Sequence, residues 1–167
     1  MMRSAPEPVQ VIKQRRDAAL SALVEGVPYV TWLGVRFDRR GDELTAILPY
    51  NDDLIGNPML PAIHGGVTAA FLEITAMITL SWNWLWEDVE SGALDAFDMA
   101  GHLPRLPKTI DFTVDYLRSG LPRDAYARAY VTRSGRRYAS VRAEAWQDNR
   151  DRPLAHATAH FLMPRKG

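Results

Sequence analysis

LPAIHGGVTAAFLEITAMITLSWNW, residues 60 to 84, decides the fold. Between Asp53 and Glu87 the only formally charged side chain is Glu73. It stands in a run of Ala, Leu, Ile, Met, Phe and Trp, and a helix apolar on nearly every side is normally buried. A carboxylate carried into such a helix is costly unless it is hydrogen-bonded or paired. The stretch therefore predicts one long helix, from about Gly65 to Trp86, at the centre of the fold, with one acid inside it. That acid is the first candidate for chemistry.

Working back toward the N-terminus, residues 50 to 63 hold Gly56, Pro58 and Pro61 and read as a loop. Before it, Leu33, Val35 and Phe37 alternate, then Leu44, Ala46 and Leu48, about the turn Arg40-Gly41-Asp42. This pattern predicts a β-hairpin over residues 33 to 49. Val9, Ile12, Ala19, Leu20 and Leu23 recur at helical spacing before Gly26, which predicts a covering helix over residues 8 to 25. Residues 1–27 form an N-terminal helical segment on this reading, and 28–167 a single domain.

Beyond the long helix, residues 87 to 98 carry five acids and no base, and read as a solvated connector, flexible or partly helical. From Lys108 the period changes to two. Ile110, Phe112, Val114 and Tyr116 share a face. Then come Ala125, Ala127, Ala129 and Val131; Ala139, Val141, Ala143 and Ala145; and Ala155, Ala157, Ala159 and Phe161. Short turns at Ser119-Gly120, Ser134-Gly135 and Asp148-Asn149 make these four strands an antiparallel meander. Faces of alanine let a thick helix approach closely, and the helix with Phe71, Met77, Trp82 and Trp84 is the one available. The expected fold is α+β: an antiparallel sheet of about six strands wrapped around one long central helix. The opposite faces, with Tyr126, Arg128, Tyr130, Tyr138, Arg142, Glu144 and Trp146, suit solvent or a partner.

Composition narrows the function classes. The 167 residues carry zero formal net charge, which removes the global basic field expected of a nucleic-acid binder. The absence of cysteine excludes disulfides and thiol catalysis and fits a cytoplasmic protein. The N-terminus lacks an apolar signal-peptide core. Residues 65 to 86 are long enough to span a bilayer, but a mid-bilayer Glu73 and the strands that follow argue against a membrane protein.

The element order, with His64-Gly65-Gly66 opening the long helix, an acid nine residues after the His, and the strand IDFTVDYLRSG, resembles the hotdog-fold acyl-CoA thioesterases. The branch is that of the phenylacetate-degradation and 4-hydroxybenzoyl-CoA thioesterases. The resemblance runs over roughly residues 28 to 164. It implies a hotdog fold, hydrolysis of a CoA thioester, a homodimer or homotetramer, no metal or redox cofactor, and coenzyme A present only as part of the substrate.

The chemistry has a physical basis in these residues. Thioester hydrolysis develops negative charge on the carbonyl oxygen. Backbone N–H groups at a helix N-terminus are unpaired and lie at the positive end of the dipole. Glycine lets a carbonyl approach them, so Gly65 and Gly66 suit an oxyanion site. The plainer reading, a tight turn and close packing, is equally open on the residues alone; the resemblance favours the oxyanion site. Glu73 suits a nucleophile or a general base, or a structural acid paired with Arg or Tyr. Eight helical residues separate Gly65 from Glu73, a rise of about 12 Å, whereas reacting groups must lie within roughly 3.5 Å. Two antiparallel helices from two subunits meet that condition, with Glu73 of one facing Gly65 of the other.

His64 is expected either to touch the thioester or to cap and orient the loop. The family places Asn or Gln six residues before the His; here Pro58 stands there and Asn57 lies at seven, so Asn57 is the shifted candidate. Thr75 and Thr79 line a pocket or are satisfied core hydroxyls. Residues 118 to 142 hold seven Arg and one acid, Asp124, and arginine suits phosphate recognition. The resemblance puts coenzyme A near these turns, at Arg118, Ser119, Arg136 and Arg137. Two rivals stand beside the thioesterase. One is an acyl-thioester hydratase or dehydratase, which usually pairs its acid with a His from another motif. The other is a non-catalytic acyl-CoA-binding protein.

Overall fold

The computed structural model describes residues 6–165. The outer ends of the two expected segments, residues 1–5 and 166–167, lie outside the described residues. Helix α1 (Val9–Glu25) and the short helix α2 (Pro28–Leu33) precede strands β1 (Arg36–Arg40) and β2 (Glu43–Leu48). A small hairpin, β3 (Ile55–Asn57) and β4 (Ala62–Ile63), leads into the long helix α3 (Gly65–Ser91). Strands β5 (Lys108–Tyr116), β6 (Ala125–Ser134), β7 (Tyr138–Trp146) and β8 (Ala155–Leu162) complete the chain.

Six strands form one antiparallel sheet in the order β1-β2-β6-β7-β8-β5. The sheet wraps α3. Ala127, Ala139, Ala143, Ala145, Ala155, Ala157 and Ala159 are buried against it, and so are Phe71, Leu72, Ile78 and Leu80 on the helix. The small-residue face works as the alternation suggests, because each alanine leaves room for the bulk carried by α3. By length and composition α3 would cross a membrane, yet 56% of its most apolar stretch is buried within the fold. Ala19, Leu20, Ala22 and Leu23 of α1 belong to the same core. Arg16 of α1 lies over the Trp86 ring at 4.0 Å, which ties α1 to the far end of α3.

Four sequence expectations need correction. Leu33 does not begin a strand: Pro28 at the start and Gly34 at φ 78° bound a six-residue helix, and the hairpin starts at Arg36. The 50–63 loop contains the β3–β4 hairpin. The long helix runs past Trp86 into the acidic segment as far as Ser91, where Gly92 at φ 75° stops it. The last four strands are not one meander. Only β6, β7 and β8 follow in order, whereas β5 pairs with β8 at the sheet edge. The connection from β5 back to β6 crosses the sheet end, pinned by the buried Gln147, which bonds the backbone of Leu121 and Arg123.

Strand β5 also departs from simple alternation. Its register with β8 slips between Thr109 and Asp111, a β-bulge. Thr109 opposes the buried Phe161 and Phe112 opposes the buried Ala159, so both face the helix, while Ile110 is 51% exposed. Thr109, not Ile110, belongs with Phe112 and Val114 on the inner face.

Candidate active site

Helix α3 begins at Gly65 because His64 caps it. The His64 backbone is extended (φ −59°, ψ 132°), and its Nδ1 accepts the Gly66 N–H at 2.8 Å. The His64 carbonyl takes the N–H groups of Val67 and Thr68. The Gly65 N–H has no acceptor among the described residues. Of the two expected oxyanion donors, Gly66 is therefore engaged by His64 and Gly65 is open. His64 is a cap in this structure, the plainer of its two expected roles.

The helix entry is held from three sides. Tyr116 donates its hydroxyl to the Gly65 carbonyl at 2.7 Å. Ile63 N–H donates to the Gly120 carbonyl at 2.8 Å, and His64 N–H to that of Leu54 at 2.8 Å. Gly56 packs so tightly on His64 that a Cβ there would lie 2.6 Å from the His64 Cα. Asn57 sits in the β3–β4 turn, where its Oδ1 accepts the Met59 N–H at 3.1 Å. That bond gives the side chain a turn role.

Glu73 lies two turns along α3. It is half-buried rather than enclosed, with Phe71, Leu72, Ile74 and Thr75 buried around it. Its partner is neither Arg nor Tyr. The Thr109 hydroxyl donates to Glu73 Oε1 at 2.6 Å, and no ion pair reaches this acid among the described residues. Thr109 was not found from sequence, because its inward direction depends on the bulge at Ile110. Thr75 is satisfied by the Phe71 carbonyl at 2.7 Å, and Thr79 Oγ1 is buried without a partner among the described residues.

Beyond Glu73 the same helix face continues through Met77 and Trp84, both half-buried. They pack both on the main core and on a second apolar cluster with Leu80, Val141, Phe161 and Met163. The other histidines lie elsewhere. His160 pairs with Asp111 at 3.0 Å, His102 with Asp98 at 3.4 Å, and His156 faces out beside Asp115 in a cavity of about 410 Å³. A cavity of about 520 Å³ lies between α1 and β1. Neither cavity includes Glu73 or the glycines. Among the described residues no group of three His, Cys, Asp or Glu side chains is placed to hold a metal ion.

The arginine candidates divide. Arg118 and Ser119 follow β5, beside the Gly65 end of α3, and Arg118 donates to the Pro153 carbonyl at 2.9 Å. Arg136 and Arg137 sit in the β6–β7 turn, where Tyr138 opposes Leu162 and Leu162 opposes Lys108, near the Glu73 end. The length of β7 separates the two groups, roughly 25 Å at the usual strand rise. One subunit does not bring the four residues together.

Residues 56–162 match the acyl-CoA thioesterase N-terminal domain. The chain is 27% identical over 139 residues to the medium/long-chain acyl-CoA thioesterase YigI of Salmonella typhimurium, covering 82% of this chain and 86% of that protein. A Shewanella oneidensis structure related to the thioesterase superfamily gives a TM-score of 0.72 at 25% identity, covering 95% of this chain and 100% of the other. A structure from Chromobacterium violaceum is 34% identical with a TM-score of 0.62, over 95% of this chain and 100% of that one.

Proposed function

This chain belongs to the acyl-CoA thioesterase family and is a thioester hydrolase of the hotdog fold; on that premise we propose that Glu73 and Gly65, from two copies of the chain, together cleave a medium- or long-chain acyl-CoA. One observation carries the split site. Glu73 stands half-buried beside β5, a nine-residue edge strand with no partner on its outer side among the described residues. An edge that long is normally covered.

The geometry of pairing is self-consistent. If Glu73 of one α3 faces Gly65 of the other, the two-fold axis passes α3 at their midpoint, Ala69. Gly65, Gly66, Ala69 and Ala70 there are small and incompletely buried, which suits close helix contact. The strand gives a matching centre. Thr109 touches Glu73 and Tyr116 touches Gly65, so the midpoint on β5 falls between Phe112 and Thr113. One axis serves both the helices and the edge strands, as an isologous dimer requires. The same axis brings Arg118 and Ser119 of one subunit to the end occupied by Arg136 and Arg137 of the other. That is the arrangement in which all four serve one coenzyme A.

In the base route, Glu73 takes a proton from water and the hydroxide adds to the thioester carbon. The oxyanion forms opposite the Gly65 N–H at the helix N-terminus. The C–S bond then breaks, and coenzyme A thiolate leaves and recovers the proton, giving free acid and thiol. In the nucleophilic route, Glu73 adds to the carbon first, coenzyme A leaves, and water cleaves the mixed anhydride. The acyl tail runs along Met77 and Trp84. That the relative is a medium/long-chain acyl-CoA thioesterase is the reason for assigning an aliphatic tail. Coenzyme A enters as part of the substrate, with no other cofactor, and the cysteine-free sequence is the ground for proposing a cytoplasmic setting.

Thiol release from acyl-CoAs of graded length tests this, with wild type beside Glu73→Gln. The expected result is turnover of medium or long chains and a loss of about 10²-fold or more in the variant, with binding retained. A folded protein that binds the series and hydrolyses none of it contradicts the proposal.

A further inference from the structure

Positive charge is not spread evenly over this electrically neutral chain. Residues 105–110, 131–140 and 160–165 together hold six Lys or Arg and no Asp or Glu. The fold gathers these segments at one end of the sheet. Tyr138 opposes Leu162, Leu162 opposes Lys108, and the Arg137 carbonyl accepts the Met163 N–H at 2.7 Å. Arg105, Lys108, Arg133, Arg136, Arg137 and Arg165 are all exposed, and none forms an ion pair among the described residues. Elsewhere on this face Arg128 is paired with Glu43 and Arg150 with Glu144. The acid in the next row of the ladder, Asp111, is held by His160 at 3.0 Å.

Apolar side chains stand among these cations. Opposing residues of an antiparallel pair share a face, and successive residues alternate. Ala139 and Phe161 are buried against α3, so their neighbours Tyr138 and Leu162 form a row with Lys108 on the outer face. The bulge after Thr109 turns Ile110 out beside them. Tyr138 is 55% exposed, Ile110 51% and Leu162 38%. Arg133 joins the same face opposite Ser140. The phosphates of one coenzyme A call for Arg136 and Arg137; they give no use to four further cations and three exposed apolar groups. An anionic lipid surface uses both. Its headgroups attract Lys and Arg, and a tyrosine with two aliphatic side chains suits the interface just beneath.

We propose that this end of the outer sheet face docks on an anionic lipid bilayer. The contact is peripheral, since α3 remains buried within the fold. Pairing of β5 edges across the proposed axis leaves the outer faces open to it. Docking goes beyond the hydrolase reading and needs no turnover, but its position suits that reading. Lys108 and Ile110 flank Thr109, whose hydroxyl meets Glu73, so the docked face sets the Glu73 end beside the phase into which medium and long acyl chains partition.

The test is co-sedimentation of the full chain with vesicles of phosphatidylcholine alone, and of phosphatidylcholine with about one third phosphatidylglycerol, at low and high salt. Wild type is expected to bind the anionic vesicles at low salt, to leave them at high salt, and to ignore the neutral ones. The triple variant Arg105→Gln, Arg133→Gln, Arg165→Gln spares Arg136 and Arg137 and is expected to bind about a hundredfold more weakly. Ile110→Ser with Leu162→Ser is expected to weaken binding about tenfold. Thermal unfolding checks that both variants fold; should the serine pair not fold, the arginine triple carries the comparison alone. A wild type that ignores both vesicles overturns the inference, even if the patch captures a small acidic protein instead. So does a folded triple variant that binds as wild type does, or equal binding to neutral and anionic vesicles. None of these results touches the reading of Glu73, which thiol release from soluble acyl-CoA tests separately.

Discussion

Gly65 is not a glycine for the sake of its own subunit. Its φ is not positive, and a Cβ there would meet the Tyr116 ring at 3.4 Å, an ordinary contact. What a side chain would obstruct is the approach to its open N–H. Gly65→Ala is therefore expected to unfold at the wild-type temperature while kcat/KM falls tenfold or more, on the order of one weakened oxyanion donor; calorimetry and steady-state kinetics check both halves. His64 differs, because it holds the Gly66 N–H. His64→Ala should cost about 0.5–2 kcal/mol, the usual loss of an N-cap, measured by denaturant unfolding. At this scale Glu73 and the glycines could be singled out as candidates because their signals are local: one charge in an apolar run, two glycines before a helix. Thr109 could not, because a bulge is invisible to alternation. Asn57 was read from spacing; its bond to Met59 belongs to a hairpin turn that spacing does not reveal.

The decisive element is β5. Its residues looked like the first strand of a meander, because alternation reports which strands exist and not which are neighbours. What fixes its place is the crossing segment anchored by Gln147, a buried amide whose three hydrogen bonds no pattern announces. Helix α3, by contrast, was readable almost to its last turn, since its apolar run needs no knowledge of its partners. The edge position carries a prediction. Thr113 lies at the proposed axis, exposed on β5, so Thr113→Lys sets two ammonium groups face to face across it. Like charges directly opposite are destabilising. Analytical ultracentrifugation should show a wild-type dimer and a shift toward monomer in the variant, and thiol release should fall with the dimer fraction. A monomeric wild type would contradict the placement of the axis.

At the scale of the whole molecule, the proposed reading gives one subunit two halves of different sites. Glu73 and the Arg136–Arg137 turn lie toward one end of the sheet, and Gly65 with Arg118 and Ser119 toward the other. The helix rise of about 12 Å between Gly65 and Glu73 is the reason for proposing this division, and that reason was readable before the strand order was known. The division of the arginines was not, because their sequence proximity hides the length of β7 between them. Subunit complementation tests the split site most directly. Gly65→Pro removes the open N–H at the first helical position, where proline is tolerated, after a residue already in the extended backbone that proline requires. Gly65→Pro and Glu73→Gln homodimers are each expected to be inactive. Co-refolded in equal amounts, half the dimers are mixed and each mixed dimer regains one intact site of two, so about a quarter of wild-type activity should return. Mixed dimers that form but stay at background would contradict a site built from Glu73 of one chain and Gly65 of the other.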